Sequence, residues 1–495
     1  MMTLSRLGLA ASLLSFCAFA NPLPAAAEGE SVKGLPAIPL SLNEIHAWID
    51  RAHPLLKGAG TEKIMARGKM LKALGAFEPV LINDTEVERF ITKDKLTTQT
   101  VGFNDTLIEA RDPMGFRYSA GLRQSIGDAK IPDLSFGNGS QQVILGGFFP
   151  LLKGLMVNPE KAELQRSELA DPRADVRIAQ TRQDLFLAAA TQFWDWIAAV
   201  RYLDMQRKAL KVAEDRFKQV EGRSKAGAVA PLDVVEANQE VQRRREVAIA
   251  AQRQVEQEQF KLSMFLWENN APTVPTIDRA PDFPAQTLTP PPSPDTVQAH
   301  KLQARTDRPE IKEIGIEAKL NDIDLELAKN NLLPSLDAEA APARAPEKFV
   351  LGLGYRFGLE LKIPLLQRKS RGEVLEAQGK ADRFVMVQKF REQQVVMDVE
   401  NALPAIDRAK ERMEAAALSL RLAKTLEEGE RFRFSLGATS VLFVNLRERN
   451  SVDSEAQVIR AKADYQKALA LYQWAIGAWA VNMPSATPVN YRARD

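Results

Sequence analysis

Residues 350–364 read VLGLGYRFGLELKIP, and they alternate. Leu351, Leu353, Tyr355, Phe357, Leu359, Leu361 and Ile363 take the odd positions, while Gly352, Gly354, Arg356, Gly358, Glu360 and Lys362 take the even ones. Successive side chains of a strand point to opposite faces, so the segment predicts a strand with one apolar face and one glycine-and-charge face. A soluble sandwich would turn the apolar face to a core, and a membrane barrel would turn it to lipid with the other face on a wet lumen. Period two does not choose between them. Arg356, Glu360 and Lys362 beside three glycines suit a narrow, water-filled interior. Residues 335–342 supply a partner strand through the turn-rich stretch 343–348. In the first half Phe116, Tyr118, Ala120 and Leu122 alternate with Arg117, Ser119, Gly121 and Arg123. Residues 142–149 form another strand, with Gly137-Asn138-Gly139 as the turn between. Residues 77–111 are strand-like too, either as part of the same sheet or as an additional hairpin. This reading gives about two principal strands per half and four per chain, whereas a closed membrane barrel needs at least eight. Copies must then share one barrel, because an open edge in lipid leaves N–H and C=O groups unpaired at several kcal/mol each.

The helical pattern is of a different scale. Between Pro172 and Gly222 no glycine or proline occurs, and those 49 residues would span roughly 74 Å at 1.5 Å each. Apolar residues recur at sevens: Phe186, Phe193 and Val200 on one seam, Leu203, Leu210 and Phe217 on the next. A second segment, 232–268, carries Val234, Val241, Ala248 and Val255 at the same spacing. Segments 405–428 and 438–476 repeat the plan, with Pro404 kinking the first or joining it to its predecessor. Tight turns separate the paired helices. Gly227 followed by Pro231 is a glycine stop and a proline-assisted restart, and Gly437 with Thr439 and Ser440 offers hydroxyl N-caps.

The halves echo each other. Pro150-Leu151-Leu152 returns as Pro364-Leu365-Leu366, an offset of 364 − 150 = 214; Ala226-Gly227-Ala228 returns as Leu436-Gly437-Ala438, an offset of 437 − 227 = 210. Trp267 returns as Trp474, an offset of 474 − 267 = 207. Three landmarks in one order indicate duplication. The boundaries that follow are a first repeat at 28–270, a Pro-rich linker at 271–298, a second repeat at 299–480 and a tail at 481–495.

Residues 1–27 read as a secretory signal: Arg6, an apolar run, then small-residue sites. Pro22 and Pro24 favour cleavage after Ala27, with cleavage after Ala20 as the alternative. Cys17 is the chain's one cysteine and lies in this segment, where Phe16 fits a lipoprotein signal poorly. The remainder therefore has no disulfide or thiolate chemistry. Beyond the signal no uninterrupted apolar run of about 18 residues exists, so a membrane would have to be crossed by strands.

Charge changes the picture little. Lys+Arg 66 against Asp+Glu 64 leaves +2 over 495 residues, which provides no field for nucleic acid. His46, His53 and His300 are the only histidines, no zinc, nucleophile-elbow or phosphate-loop motif is present, and no cofactor is expected. The chain reads as a non-enzyme.

Over roughly residues 40–479 the sequence resembles the TolC family of outer-membrane efflux factors. The landmarks are Ser41-Leu42-x-Glu44-Ile45 through His53-Pro54, Pro150-Leu151-Leu152 and its repeat at Pro364, Gln192-Phe193-Trp194, Gly227 with Asp233-Val234-Val235, Arg308-Pro309-Glu310, and Leu333-Pro334-Ser335. The resemblance implies an α+β membrane protein of the Gram-negative outer membrane. It implies a homotrimer giving four strands per protomer to a twelve-stranded β-barrel, continued into the periplasm by an α-helical coiled-coil barrel. Such a duct serves tripartite efflux or type I secretion. An inner-membrane pump and a periplasmic adaptor (membrane fusion) protein dock at the tips, here Ala226, Gly227, Ala228, Leu436, Gly437 and Ala438. Leu353, Tyr355, Phe357 and Leu359 would face outer-membrane lipid, and Arg356, Glu360 and Lys362 the lumen. The periplasmic gate would lie at Asp233, Phe443 and Leu446; family aspartates after the second tip are replaced here by Phe443 and Leu446. Three phenylalanines would constrict by packing and dewetting, where three carboxylates would attract cations. The rival reading is a soluble periplasmic adaptor or scaffold with coiled-coil hairpins, which needs no lipid-facing stripe.

Overall fold

The computed structural model describes residues 38–92, 97–127, 141–284, 293–342 and 355–480. The expected signal, the tail, the two connecting turns at 137–139 and 343–348, part of the linker, and Leu351 and Leu353 lie outside the described residues.

The first half runs α1 (Leu42–Ala52), α2 (Pro54–Leu74), a 3-10 turn (Gly75–Phe77), β1 (Val80–Thr92), β2 (Thr97–Arg111), β3 (Arg117–Gly127), β4 (Gln141–Pro150), α3 (Pro159–Glu168), α4 (Ala170–Lys225) and α5 (Pro231–Ser263). A two-residue hairpin follows, β5 (Trp267–Glu268) with β6 (Ala271–Pro272), and then a 3-10 turn (Ile277–Arg279). The second half runs α6 (Pro294–Asp307), α7 (Pro309–Asn330), β7 (Ser335–Pro342), β8 (Tyr355–Lys362), α8 (Arg368–Ser435) and α9 (Val441–Ala475).

One sheet collects six strands in the order β1-β2-β3-β4-β7-β8, all antiparallel. β1 and β2, within 77–111, thus belong to the same sheet, and the described residues bring six strands to it where the sequence pattern gives about four. The pattern hid them because β1 and β2 carry polar residues on both faces: Asn83, Asp84, Thr85 and Glu86 stand consecutively in β1.

The end of α5 and the cap of α9 differ from the expectation, and Pro404 joins its segment to the preceding one. α5 ends at Ser263, five residues short of Glu268, because Asn269 and Asn270 take left-handed φ of 49° and 63° and close the β5–β6 turn. Asparagine tolerates that region better than most residues. α8 runs unbroken through Pro404. A proline there forfeits one hydrogen bond and crowds the preceding turn. Packing offsets it: Val395, Val399 and Ala402 are buried against Ala304 of α6 and Tyr472 and Ala475 of α9. At α9 the N-cap residue is Ser440, but its hydroxyl caps nothing.

The predicted seams are buried where α4 meets its neighbours. Phe186, Phe193, Trp196, Ile197, Val200 and Leu203 form the main core with Ile45 and Ile49 of α1 and Val255 of α5. Residues preceding Pro54 of α2 and Pro309 of α7 brace the ends of the return helices. His53 Nε2 lies 3.1 Å from the carbonyl of Met264, while Arg308 sits 3.9 Å over the Trp474 ring and is paired with Glu310 at 2.7 Å.

Candidate functional site

Register sorts the sheet into two chemically opposite faces. Leu145 of β4, Ala120 of β3, Ile108 of β2 and Leu81 of β1 form one row; Phe357, Ala340, Gly147, Tyr118 and Ala110 form the next. Both rows, with Leu359 and Leu361, lie on the same face. That face is exposed: Phe357 is 81% accessible and Leu81 70%. At one end of it Phe116, Tyr118 and Phe149 meet edge-to-face, with centroids 5.5 to 6.4 Å apart. At the other end a polar row begins, Gln141, Gln124, Asn104 and Thr85, where Asn104 and Asn83 exchange hydrogen bonds of 3.0 and 3.2 Å.

The opposite face holds the charges. Arg123 of β3 donates two hydrogen bonds of 2.7 Å to Asp105 of β2, both residues buried, and its guanidinium lies 5.0 Å from the Phe103 ring. Arg356 pairs with Glu339 at 2.9 Å, and Lys362 with Glu360 at 2.7 Å. Arg356, Glu360 and Lys362 therefore share one face, with Phe357 and Leu359 on the other. Tyr355, opposite Pro342, falls by register with Phe357; Leu353 lies outside the described residues.

The two hairpin tips are built alike. Gly227 and Gly437 have φ of 76° and 73°, a region that side chains avoid. The N–H of Gly227 donates to Ser224 and that of Ala228 to Arg223; Gly437 donates to Phe434 and Ala438 to Arg433 in the same pattern. This is the double closure that satisfies the last carbonyls of a helix. All six tip residues are exposed. Behind them Val220, Ala237 and Val441 form a small core, and Arg223 lies 5.1 Å over Phe434, binding tip to tip. Asp233 and Phe443 stand at the same place in the two return helices, offset 443 − 233 = 210. Asp233 is half-buried, whereas Phe443 is 54% exposed and Leu446 46%.

A buried charge cluster further along was invisible in the sequence. Arg216 of α4 is paired with Glu448 of α9 and donates to Asn445 at 3.0 Å, while Arg431 of α8 reaches the same Glu448 at 2.7 Å. Beside it, Glu240 of α5 accepts from Arg243 at 2.6 Å, Arg244 at 2.9 Å and Arg449 of α9 at 2.5 Å. Burial alone would raise the Glu240 carboxyl, but the hydrogen bonds from Arg243 and Arg449 and the fields of Arg243 and Arg244 outweigh it and hold it at about 2. α9 thus clasps both hairpins by charge. Arg and Glu at these positions read as a solvated helical face, because spacing does not show which charges a third helix covers.

His46, half-buried, stacks 3.9 Å from Phe186 and is pulled down to about 4, mainly by burial, with Arg182 adding to it; it is neutral at pH 7. No group of three or more His, Cys, Asp or Glu placed to hold a metal is present among the described residues, and no described helix is long and apolar enough to cross a membrane.

No family model matches the chain. The outer-membrane channel OprN superposes with a TM-score of 0.67, covering 89% of this chain and 90% of that one at 14% identity. The CmeC outer membrane channel of Campylobacter jejuni gives 0.64 over 88% and 85% at 12% identity. The chain has the TolC-type outer-membrane channel fold. Nodulation protein T of Rhizobium leguminosarum bv. trifolii is 25% identical over 284 residues, 56% of this chain; the match spans 60% of that relative's length. In the TolC-type fold of this chain, the exposed apolar sheet face and the paired hairpin tips lie in a single polypeptide. Its sheet has six strands among the described residues.

Proposed function

We propose that this chain is the outer-membrane exit duct of a tripartite efflux or type I secretion system, working as a homotrimer with no catalytic step. One observation carries the reading: the exposed large apolar side chains of β2, β3, β4 and β8 stand on one face, and the paired charges of Asp105, Arg123, Glu339 and Arg356 stand on the other. Water would penalise about 25 cal/mol for every Å² of that surface, whereas lipid would not. Six strands remain below the eight a closed barrel requires, so copies pool their sheets. A soluble adaptor would have no use for such a face. Phe357, Leu359 and the aromatic trio at Tyr118 then meet lipid and its interface, and Arg356, Glu360 and Lys362 line the lumen.

The tips at Gly227 and Gly437 dock a periplasmic adaptor, which couples the duct to an inner-membrane pump. Asp233, Phe443 and Leu446 form the periplasmic gate, with three copies of Phe443 closing it by dewetting. Membrane fractionation followed by unheated gel migration tests the duct: a detergent-dependent trimer in the outer membrane is expected, and a freely soluble monomer would remove the reading. Conductance tests the gate. Phe443→Ala should open it and Phe443→Asp should add cation preference; no change in either rejects that assignment.

A further inference from the structure

The internal repeat locates the extra hairpin. Pro54, which opens α2, returns as Pro309, which opens α7, an offset of 309 − 54 = 255. Pro79, one residue before β1, returns as Pro334, one residue before β7, and the offset is again 334 − 79 = 255. Past the strands, Pro150 and Pro364 stand only 214 apart. The first half therefore holds 255 − 214 = 41 more residues between these two prolines, which is the length of one long strand hairpin with its turns. β1 follows Pro79 as β7 follows Pro334, and β4 ends at Pro150 as β8 ends just before Pro364, so by position the surplus falls on β2 with β3.

An insertion at this place is flanked on both sides by strands of the repeat. It cannot swing out of the sheet without unzipping β1 from β2 and β3 from β4. Its own seam is also fixed. Arg123 and Asp105 bridge it in a buried pair, and Gly121 is packed so closely that a Cβ there would come 2.0 Å from the Thr106 carbonyl oxygen. The six strands alternate in direction, so β1 and β8, the end strands, run antiparallel to each other, as a closing seam between copies requires.

We infer that all six strands of each copy enter the wall. β8 of one copy adds to β1 of the next, and three copies close an eighteen-stranded barrel (3 × 6) rather than a twelve-stranded one. The inference rests on the trimeric-duct reading. Diameter grows about linearly with strand number, so this wall is about 1.5-fold wider than one of twelve strands.

Cysteine pairs on the outward face test the seam, since directly opposed Cβ atoms in neighbouring strands fall within disulfide reach. In the full-length chain, Phe357→Cys is combined singly with Leu81→Cys, Asn83→Cys or Thr85→Cys on β1, and separately with Tyr118→Cys or Leu122→Cys on β3. After copper-phenanthroline oxidation of outer membranes, non-reducing denaturing gels should show at least one β1–β8 pair losing its monomer band to linked dimers and trimers. The β3 pairs should stay monomeric. Linking of β8 to β3, or no β1–β8 link in a preparation whose unheated trimer is intact, overturns the inference. A chain that never reaches the outer membrane as a trimer removes the duct reading and the seam with it. Cryo-electron microscopy of the trimer in nanodiscs gives a second readout: eighteen strands at mid-wall are expected, and twelve would refute it.

Discussion

α4 and α8 are the two longest helices, of 56 and 68 residues, and they dispose of their apolar side chains in opposite ways. α4 lies between α5 and α9 and buries Phe186, Phe193, Trp196, Ile197 and Leu203; among its large apolar side chains only Val212 is exposed. α8 packs on α9, α7 and α6, yet leaves Leu375, Met386, Phe390, Leu422 and Phe432 in the open. The four hairpin helices lie in the order α5-α4-α9-α8, so among them α8 is an end element, as β8 is in the sheet. Similar composition thus serves two purposes. One helix closes the fold of its own chain, and the other keeps an exposed apolar face, which in the proposed trimer is the seam to a neighbouring copy.

The sharpest way to break that contrast is to cut the same kind of side chain from each helix. Trp196→Ala should cost about 3–5 kcal/mol of protomer stability. Thermal melts in detergent would register it. Phe390→Asp and Leu422→Asp should leave the protomer within about 0.5 kcal/mol, as surface changes do, yet abolish the unheated trimer band. If Phe390→Asp unfolds the protomer instead, α8 is a core helix and the contrast fails.

Removing the clasp between the hairpins comes next. Glu448→Ala leaves Arg216 buried with only Asn445 and no carboxylate, and leaves Arg431 with Glu427 alone, so a loss of about 3 kcal/mol is expected. Faster protease cleavage near the tips would check it. A titration sharpens the same point. Because Glu240 is held at about 2, below its ordinary 4.5, its stabilising contribution is complete above about pH 4.5 and is lost as pH falls through about 2. Glu240→Gln should therefore be less stable at neutral pH and flatter between pH 4.5 and 2 in acid unfolding followed by circular dichroism.

The smallest effect expected is at the tips. Gly227→Ala and Gly437→Ala meet open space but a left-handed backbone, so each should cost about 1 kcal/mol, and equally. Unequal costs would show that the two turns are not equivalent.

Much of this was legible in residue order. β7 and β8 announce themselves by period two, and α4 by its seams of Phe186, Phe193 and Val200. The tip glycines lie where a left-handed stop was required. β1 and β2 were left undecided because they lack a clean apolar face, and only pairing with β3 brings them into the sheet. The Arg216–Glu448 cluster was illegible for a related reason: a charge on a long helix reads as solvated until a third helix covers it. At Pro404 residue order leaves kink or junction open, and contacts to α6 and α9 accompany one continuous helix that joins the two segments.

The six-stranded sheet also has a consequence of perimeter. β8 passes to α8 through residues 363–367 alone, the last of them Gln367 at a φ of 49°, so strands and helices are joined almost end to end. In the proposed trimer, twelve long helices at about 9 Å spacing enclose a girth of roughly 110 Å. Eighteen strands about 4.8 Å apart and tilted about 40° enclose roughly the same, whereas twelve strands would enclose roughly 75 Å. In such a duct the risers from strand to helix need not lean inward, and the bore keeps its width across the joint.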